Sequence, residues 1–317
     1  MTSTFAPTRK STASARSVAA VVAAAALLVA CADSAREPPL APARSGTLAM
    51  ACPELATRLA YADATFAAEF VSAGEMRVAG VPVGAHCRVT GRMHERTSPI
   101  DGQHYAIGFE MRLPLAWNGR FYYQANGGVD GNVMPAAGLA TSGPGSASAL
   151  VRGFAVLSSD AGHSAAQNAT FGIDPQARLD YGYQAVTVLT PLAKAVIRMA
   201  YGREPDRSYI GGCSNGGRHT LVAAARMPDA YDGFLVGDPG TELPRAAIAN
   251  LAGGRAYAAL ATSAADLGTA FTVAERRLVS DAVLAKCDAL DGASDGLVAD
   301  TAACQAAFDL SRDVPTC

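Results

Sequence analysis

The tightest constraint in this chain is a reversal at residues 207–227, which read RSYIGGCSNGGRHTLVAAARM. A β-favouring run through Tyr209 and Ile210 enters a glycine cluster, and a helix-forming segment leaves it. Gly212-Cys213-Ser214-Asn215-Gly216 has the G-x-S-x-G spacing. Such a turn holds its serine in a strained backbone conformation, and side chains at 212 and 216 would collide with neighbouring backbone. A helix starting after Ser214 aims free N–H groups at the same place, where they stabilise a developing oxyanion. A tight turn with no chemistry would use the same glycines.

The flanking pattern supplies the context that such a turn needs. Strands are predicted over 84–93, 104–115, 120–125, 153–160, 206–212 and 231–240. Helices are predicted over 52–70, most of 181–202 despite Pro191, 218–227 and 273–286, the last opened by the capping box Thr272-Val273-Ala274-Glu275. Strand and helix in alternation imply a parallel sheet with crossover helices, an α/β fold. Beyond about residue 243 no strand candidate follows, so a domain or lid boundary is expected there.

The ends of the chain speak to location. Arg9, Lys10 and Arg16 precede an apolar run from Val18 to Ala30, too short for an ordinary membrane span and suited to a signal peptide over 1–30. Leu28-Val29-Ala30-Cys31 resembles the bacterial lipobox, in which the cysteine is lipidated; ordinary signal cleavage nearby is the alternative. Either way, export from a bacterial cytoplasm is expected, with any membrane attachment through this N-terminal anchor. Residues 31–50 suit a flexible tether. Export permits disulfides. Seven cysteines less Cys31 leave six, and sequence alone allows fifteen pairings of six. A net charge of −2 with no basic tract gives no support to nucleic-acid binding.

Taken together, GGCSNGGR, WNGRFYYQANGG, SSDAGHS, DYGYQAVTVLTPLAKAVIRMAYG and LAKCDALDGASDGLVAD resemble, in order, segments of the tannase and feruloyl esterase family. That family includes enzymes that hydrolyse mono(2-hydroxyethyl) terephthalate. The resemblance covers roughly residues 50–317 and implies part of an α/β-hydrolase core (51–242) followed by the start of a lid domain (243–317). It makes Ser214 the nucleophile. The backbone N–H groups of Asn215 and Gly128 would be the oxyanion donors, with Gly127 the next choice. It implies disulfides Cys52–Cys87 and Cys287–Cys304. Cys213 and Cys317 are left to partners beyond this chain, that of Cys213 lying beside the catalytic histidine. A buried free thiol is the plainer reading of Cys213.

The resemblance also exposes a gap. Family members are longer, and their triad acid and histidine follow the lid. Here His86, His94, His104 and His163 all precede Ser214, against the usual Ser…Asp…His order. His219 sits five residues past Ser214 and is expected to point away from the turn. His163 follows a strand and is a weak candidate for the base. Asp238 is a tempting triad acid, yet a turn role beside Pro239 suits it better. The chain is therefore expected to be C-terminally incomplete and close to inactive by itself.

CDALDGASDGLVAD concentrates Asp288, Asp291, Asp295 and Asp300 in a glycine-punctuated loop. Hard carboxylate oxygens in a turn suit Ca²⁺, although the EF-hand spacing fails, with Ala302 at the twelfth position from Asp291. A solvated acidic turn is the plainer reading. The resemblance implies a structural calcium site made of the Asp288, Asp291 and Asp295 side chains and the Ala293 and Leu297 carbonyls. The function expected is that of an exported serine esterase acting on small carboxylic esters, of phenolic acids such as ferulate or gallate. A non-catalytic, calcium-dependent surface lipoprotein on the same scaffold is the alternative. Oligomeric state is not legible.

Overall fold

The computed structural model describes residues 41–139 and 148–315. The expected signal segment, Cys31 and Cys317 lie outside the described residues. Strand β1 (Gly46–Thr47) comes first, then helix α1 (Cys52–Arg58) and strand β2 (Ala64–Val71). The hairpin β3 (Arg77–Val78) and β4 (Val81–Pro82) follows, then β5 (His86–Thr97), β6 (His104–Pro114), β7 (Ala116–Trp117), β8 (Arg120–Gln124) and β9 (Ala155–Ser159). Helix α2 (Pro175–Leu179) runs through a π-helical turn, Asp180–Gln184, into α3 (Ala185–Tyr201). Next are β10 (Arg207–Cys213), α4 (Asn215–Arg226), β11 (Gly233–Gly237), α5 (Leu243–Leu260), α6 (Val273–Cys287), α7 (Thr301–Ala307) and α8 (Leu310–Asp313).

Seven strands form one sheet in the order β11-β10-β8-β9-β6-β5-β2. The α/β class holds, but the sheet is mixed and not parallel throughout. β8, β9, β10 and β11 run parallel, whereas β6 is antiparallel to β9, and β5 and β2 extend the antiparallel side. The tight connection from Thr97 to His104 explains the difference, because a short reversal joins only antiparallel neighbours. A second correction concerns residues 52–70, where one helix was expected. The helix stops at Arg58, and Ala64–Val71 pairs with β5 along its length. In ATFAAEFV the residues alternate between half-buried and exposed, the period of a strand, although alanine favours a helix.

The core lies between the sheet and α3, whose Leu189, Leu192, Ala193, Val196 and Ile197 are fully buried with Phe109, Met111 and Leu157 of the strands. Pro191 sits inside α3 on its exposed face. Cys52 and Cys87 are joined, tying α1 to β5, and Cys287 and Cys304 are joined, tying α6 to α7. The described part of the expected tether is held against the fold. Gly46 and Thr47 pair with Trp117 and Ala116, and the Arg44 N–H donates to Asp206 Oδ2 at 2.7 Å.

Candidate active site

β10 and α4 meet at Ser214, whose backbone stands at φ 58°, ψ −122°. Non-glycine residues avoid this region because Cβ crowds the backbone. Two hydrogen bonds from neighbouring segments hold it: the Ser214 N–H donates to Gly237 O at 3.0 Å, and its carbonyl accepts from Gly240 N at 3.2 Å. The glycines are needed for space. A Cβ on either Gly212 or Gly216 would strike Ala125 O, and one on Gly217 would strike Gly237 O. Ser214 is exposed, while Asn215, Gly216 and Gly217 behind it are buried.

β8 lies parallel beside β10, with Gln124 opposite Gly211. Its continuation, Asn126-Gly127-Gly128, therefore emerges next to the serine turn. Gly128 takes φ 68°, and Gly127 lies beside the serine turn, where a Cβ would stand in ordinary contact, 3.6 Å from Cys213 O. Ser214, Cys213, Gly127 and Gly128 thus line one cleft of about 780 Å³. Met76, Val78, Met134, Pro135 and Leu139 give it apolar walls, and Arg77 adds a cation from the β3–β4 hairpin. The wall at 135–139 is fixed from below. Gln124 Oε1 accepts from Gly138 N at 2.8 Å, and Glu110 Oε1 accepts from Ala136 N at 2.9 Å and Arg112 Nε at 2.7 Å.

Behind the serine lies a buried polar network that the sequence pattern did not announce. Asp130, two residues past Gly128, accepts from Asn215 Nδ2 at 2.7 Å and meets His219 Nε2 at 2.7 Å through the same oxygen. Asn215 Oδ1 accepts from Tyr181 Oη at 3.0 Å and from Arg218 Nε at 2.7 Å. Arg218 also donates to the carbonyls of Gly182 and Tyr181, both at 3.1 Å, within the π-helical turn. A π turn frees carbonyls from the helical ladder, and such turns gather at functional sites. The spacing of Asp130 after the NGG triplet and the YGY sequence at 181–183 were the available signals.

None of the five histidines lines the cleft. His219 is buried against Asp130. His163 is buried, stacked on Phe171 with ring centroids 3.8 Å apart, and its Nε2 lies 2.9 Å from Asn168 Oδ1. Burial, the largest influence on His163, pushes its pKa down. His86, the first residue of β5, is buried with Nε2 2.8 Å from Arg112, its pKa lowered chiefly by burial. Asp238 is exposed in the turn after β11 at φ 38°. Cys213 is half-buried beside Ser214 and has no disulfide partner among the described residues.

The acidic loop folds around its own carboxylates. Asp288 Oδ1 accepts from the amides of Asp295 and Gly296, Asp291 from those of Ala293 and Ala299, and Asp295 from that of Leu297. The amides of Ala299 and Ala293 hold the Asp291 carboxyl below its ordinary pKa. The donor set has calcium chemistry, anionic and carbonyl oxygen on a glycine-bent loop. Among the described residues, however, no three acidic, histidine or cysteine side chains converge on one point.

Comparison with known proteins places these features in context. Residues 87–317 match the family model described as tannase and feruloyl esterase. The mono(2-hydroxyethyl) terephthalate hydrolase of Piscinibacter sakaiensis is 42% identical over 240 residues, which is 71% of this chain and 39% of that protein. The chain thus spans about two fifths of that curated relative. The crystal structure of feruloyl esterase B from Aspergillus oryzae superposes with a TM-score of 0.63 at 25% identity, covering 82% of this chain and 50% of that one. The tannin acyl hydrolase of Aspergillus niger shares the fold, with a TM-score of 0.59 at 23% identity over 84% of this chain and 49% of its own.

Proposed function

Because this chain belongs to the tannase and feruloyl esterase family, we propose that it is the nucleophile-bearing part of an exported serine esterase that cleaves esters of phenolic acids. The observation that carries this reading is the strained, exposed Ser214 at the junction of β10 and α4, opening on the same cleft as the Gly127-Gly128 loop. Ser214 Oγ attacks the ester carbonyl as a base takes its proton, and the alcohol leaves with a proton returned to it. The N–H groups of Asn215 and Gly128 hold the negative oxygen in both tetrahedral intermediates. Water then attacks the acyl-enzyme and releases the acid. The reading requires a histidine and an orienting acid, which the described residues do not bring to Ser214. The apolar cleft walls favour an aromatic acyl group.

Residues 243–317 would begin the lid, and a structural calcium ion would sit in the acidic loop. Asp288, Asp291 and Asp295 would supply carboxylates, and Ala293 and Leu297 carbonyls. The ion would neutralise like charges that the Cys287–Cys304 bridge holds together. Export has support from the two disulfides, which persist in oxidising compartments. Lipidation of Cys31 rests on the sequence motif. No helix among the described residues is long and apolar enough to cross a membrane.

A fluorophosphonate probe tests the chemistry. Full-length protein carrying this chain should be labelled and hydrolyse feruloyl or galloyl esters, and Ser214→Ala should lose both. A well-folded full-length protein that is not labelled would sink the esterase reading and favour a calcium-dependent surface lipoprotein. Excess chelator should lower the melting temperature; an unchanged transition counts against the calcium site.

A further inference from the structure

We propose that Asp130 is a positioning residue that locks the two halves of the oxyanion hole to each other; this rests on the esterase reading of Ser214. The two backbone donors of that reading belong to segments far apart in the chain, the loop at Gly128 and the first turn of α4 at Asn215. Adjacent strands bring these segments together, but β8 and β10 pair only as far as Gln124 and Gly211. Beyond that, Ala125 N donates to Gly211 O at 3.0 Å, and regular pairing stops. Asn126 Nδ2 ties the base of the loop to Ser158 Oγ at 2.9 Å and Ser159 O at 2.8 Å in β9, which leaves the tip to be joined to α4.

Asp130 makes this link. Its side chain is 1% exposed, and that of His219 is 4% exposed. A buried carboxylate is costly unless paired and hydrogen-bonded. Both partners of this one, Asn215 Nδ2 and His219 Nε2, belong to α4, each at 2.7 Å. Its own N–H closes the loop onto Gly127 O at 3.4 Å. The carboxylate thus reaches from the loop that carries Gly128 to the residue after the nucleophile. Asn215 cannot swing away with it, because Tyr181 and Arg218 hold its Oδ1 from the opposite side. His219, five residues past Ser214, therefore acts as a partner of Asp130, with its Nε2 2.7 Å from Asp130 Oδ2.

Oxyanion donors work only within a narrow distance of the charged oxygen, and a displacement of about 1 Å costs on the order of 100-fold in rate. Loosening the clamp should therefore act on the transition state and spare ground-state binding. Asp130→Ala should lower kcat by roughly 10- to 100-fold with KM within about twofold. Asp130→Asn keeps an acceptor for Asn215 Nδ2 and should recover part of that loss. Affinity for a trifluoromethyl ketone, which forms an oxyanion on Ser214, should fall in parallel with kcat. Affinity for the product acid should not.

The experiment uses the full-length protein, with wild type, both Asp130 variants and Asn215→Ala. Unchanged kcat in Asp130→Ala, or a rise in KM as large as the fall in kcat, would overturn the proposal. A second readout needs no turnover. Urea unfolding of Asp130→Ala, Asn215→Ala and the double variant should show the double variant destabilised by clearly less than the sum of the two single ones. Additive shifts would also overturn it. Wild-type protein that cleaves no ester refutes the esterase reading instead, and the unfolding cycle still decides whether Asp130 and Asn215 are coupled.

Discussion

At the scale of the residue, Ser214 stores backbone strain at φ 58°. Relieving it with Ser214→Gly should stabilise the fold by about 1 kcal/mol, since strained positive-φ residues cost roughly 1–3 kcal/mol and glycine's extra freedom offsets part of the gain. Thermal melting reads this, and a lower midpoint would contradict it. Gly216→Ala should do the opposite and destabilise by about 1–3 kcal/mol or more, because the new methyl meets Ala125 backbone that has nowhere to go. Asp160 supplies a pH dependence. It accepts the amides of Gly108 and Gly162, both at 2.9 Å, yet burial pushes its pKa up to about 7. The unfolded chain releases this proton near pH 4 and the folded chain only near 7, so stability falls as pH rises between them. Asp160→Asn should be more stable than wild type at pH 8 and lose that advantage by pH 4, as urea midpoints across that range will show. The serine and its glycines were legible because their spacing is itself a steric requirement. Asp130 was not, because its partners on α4 come near only once strands β8 and β10 are neighbours; Tyr181 and Arg218 were not, because they meet only once the π-helical turn packs against α4.

At the scale of the element, local signals succeeded where one segment decides its own state. The capping box at Thr272 formed as its pattern implies: Thr272 Oγ1 accepts from Glu275 N at 3.2 Å, and Glu275 accepts from Thr272 N at 2.7 Å. Thr272→Ala should cost about 1 kcal/mol. Because Cys287 is the one buried side chain of α6, that loss should appear as faster amide exchange in its first turns, with little change in global unfolding. Equal slowing or quickening along the whole chain would refute this. Residues 64–71 show the converse. Their alanines favour helix, but pairing with eight residues of β5 outweighs propensity. The π-helical turn before α3 was likewise invisible, since it is sustained by the Arg218 side chain from another helix.

At the scale of the whole molecule, the sequence carried the α/β class but not the mixed direction of the sheet, which depends on which chain-distant strands become neighbours. Beyond residue 243 the named elements are all helices. Helix α5 has no buried residue, and its Ile248 and Leu251 are about 70% exposed; the edge strand β11 separately exposes Leu235 at 53%. Apolar area of this kind should bind anilinonaphthalene sulfonate in the 317-residue chain, and Ile248→Lys with Leu251→Lys should reduce the fluorescence. Undiminished fluorescence would locate the dye elsewhere. The position of β8 has a further consequence, one of timing. Both its neighbours are made after it: β9 some thirty residues later, and β10 after residue 206. A strand waiting this long for its partners makes folding slow and leaves Phe121 and Tyr123 without cover meanwhile. The loop that follows β8 gains its shape in the same event that completes the serine turn, so a growing chain never holds half of this site in working form.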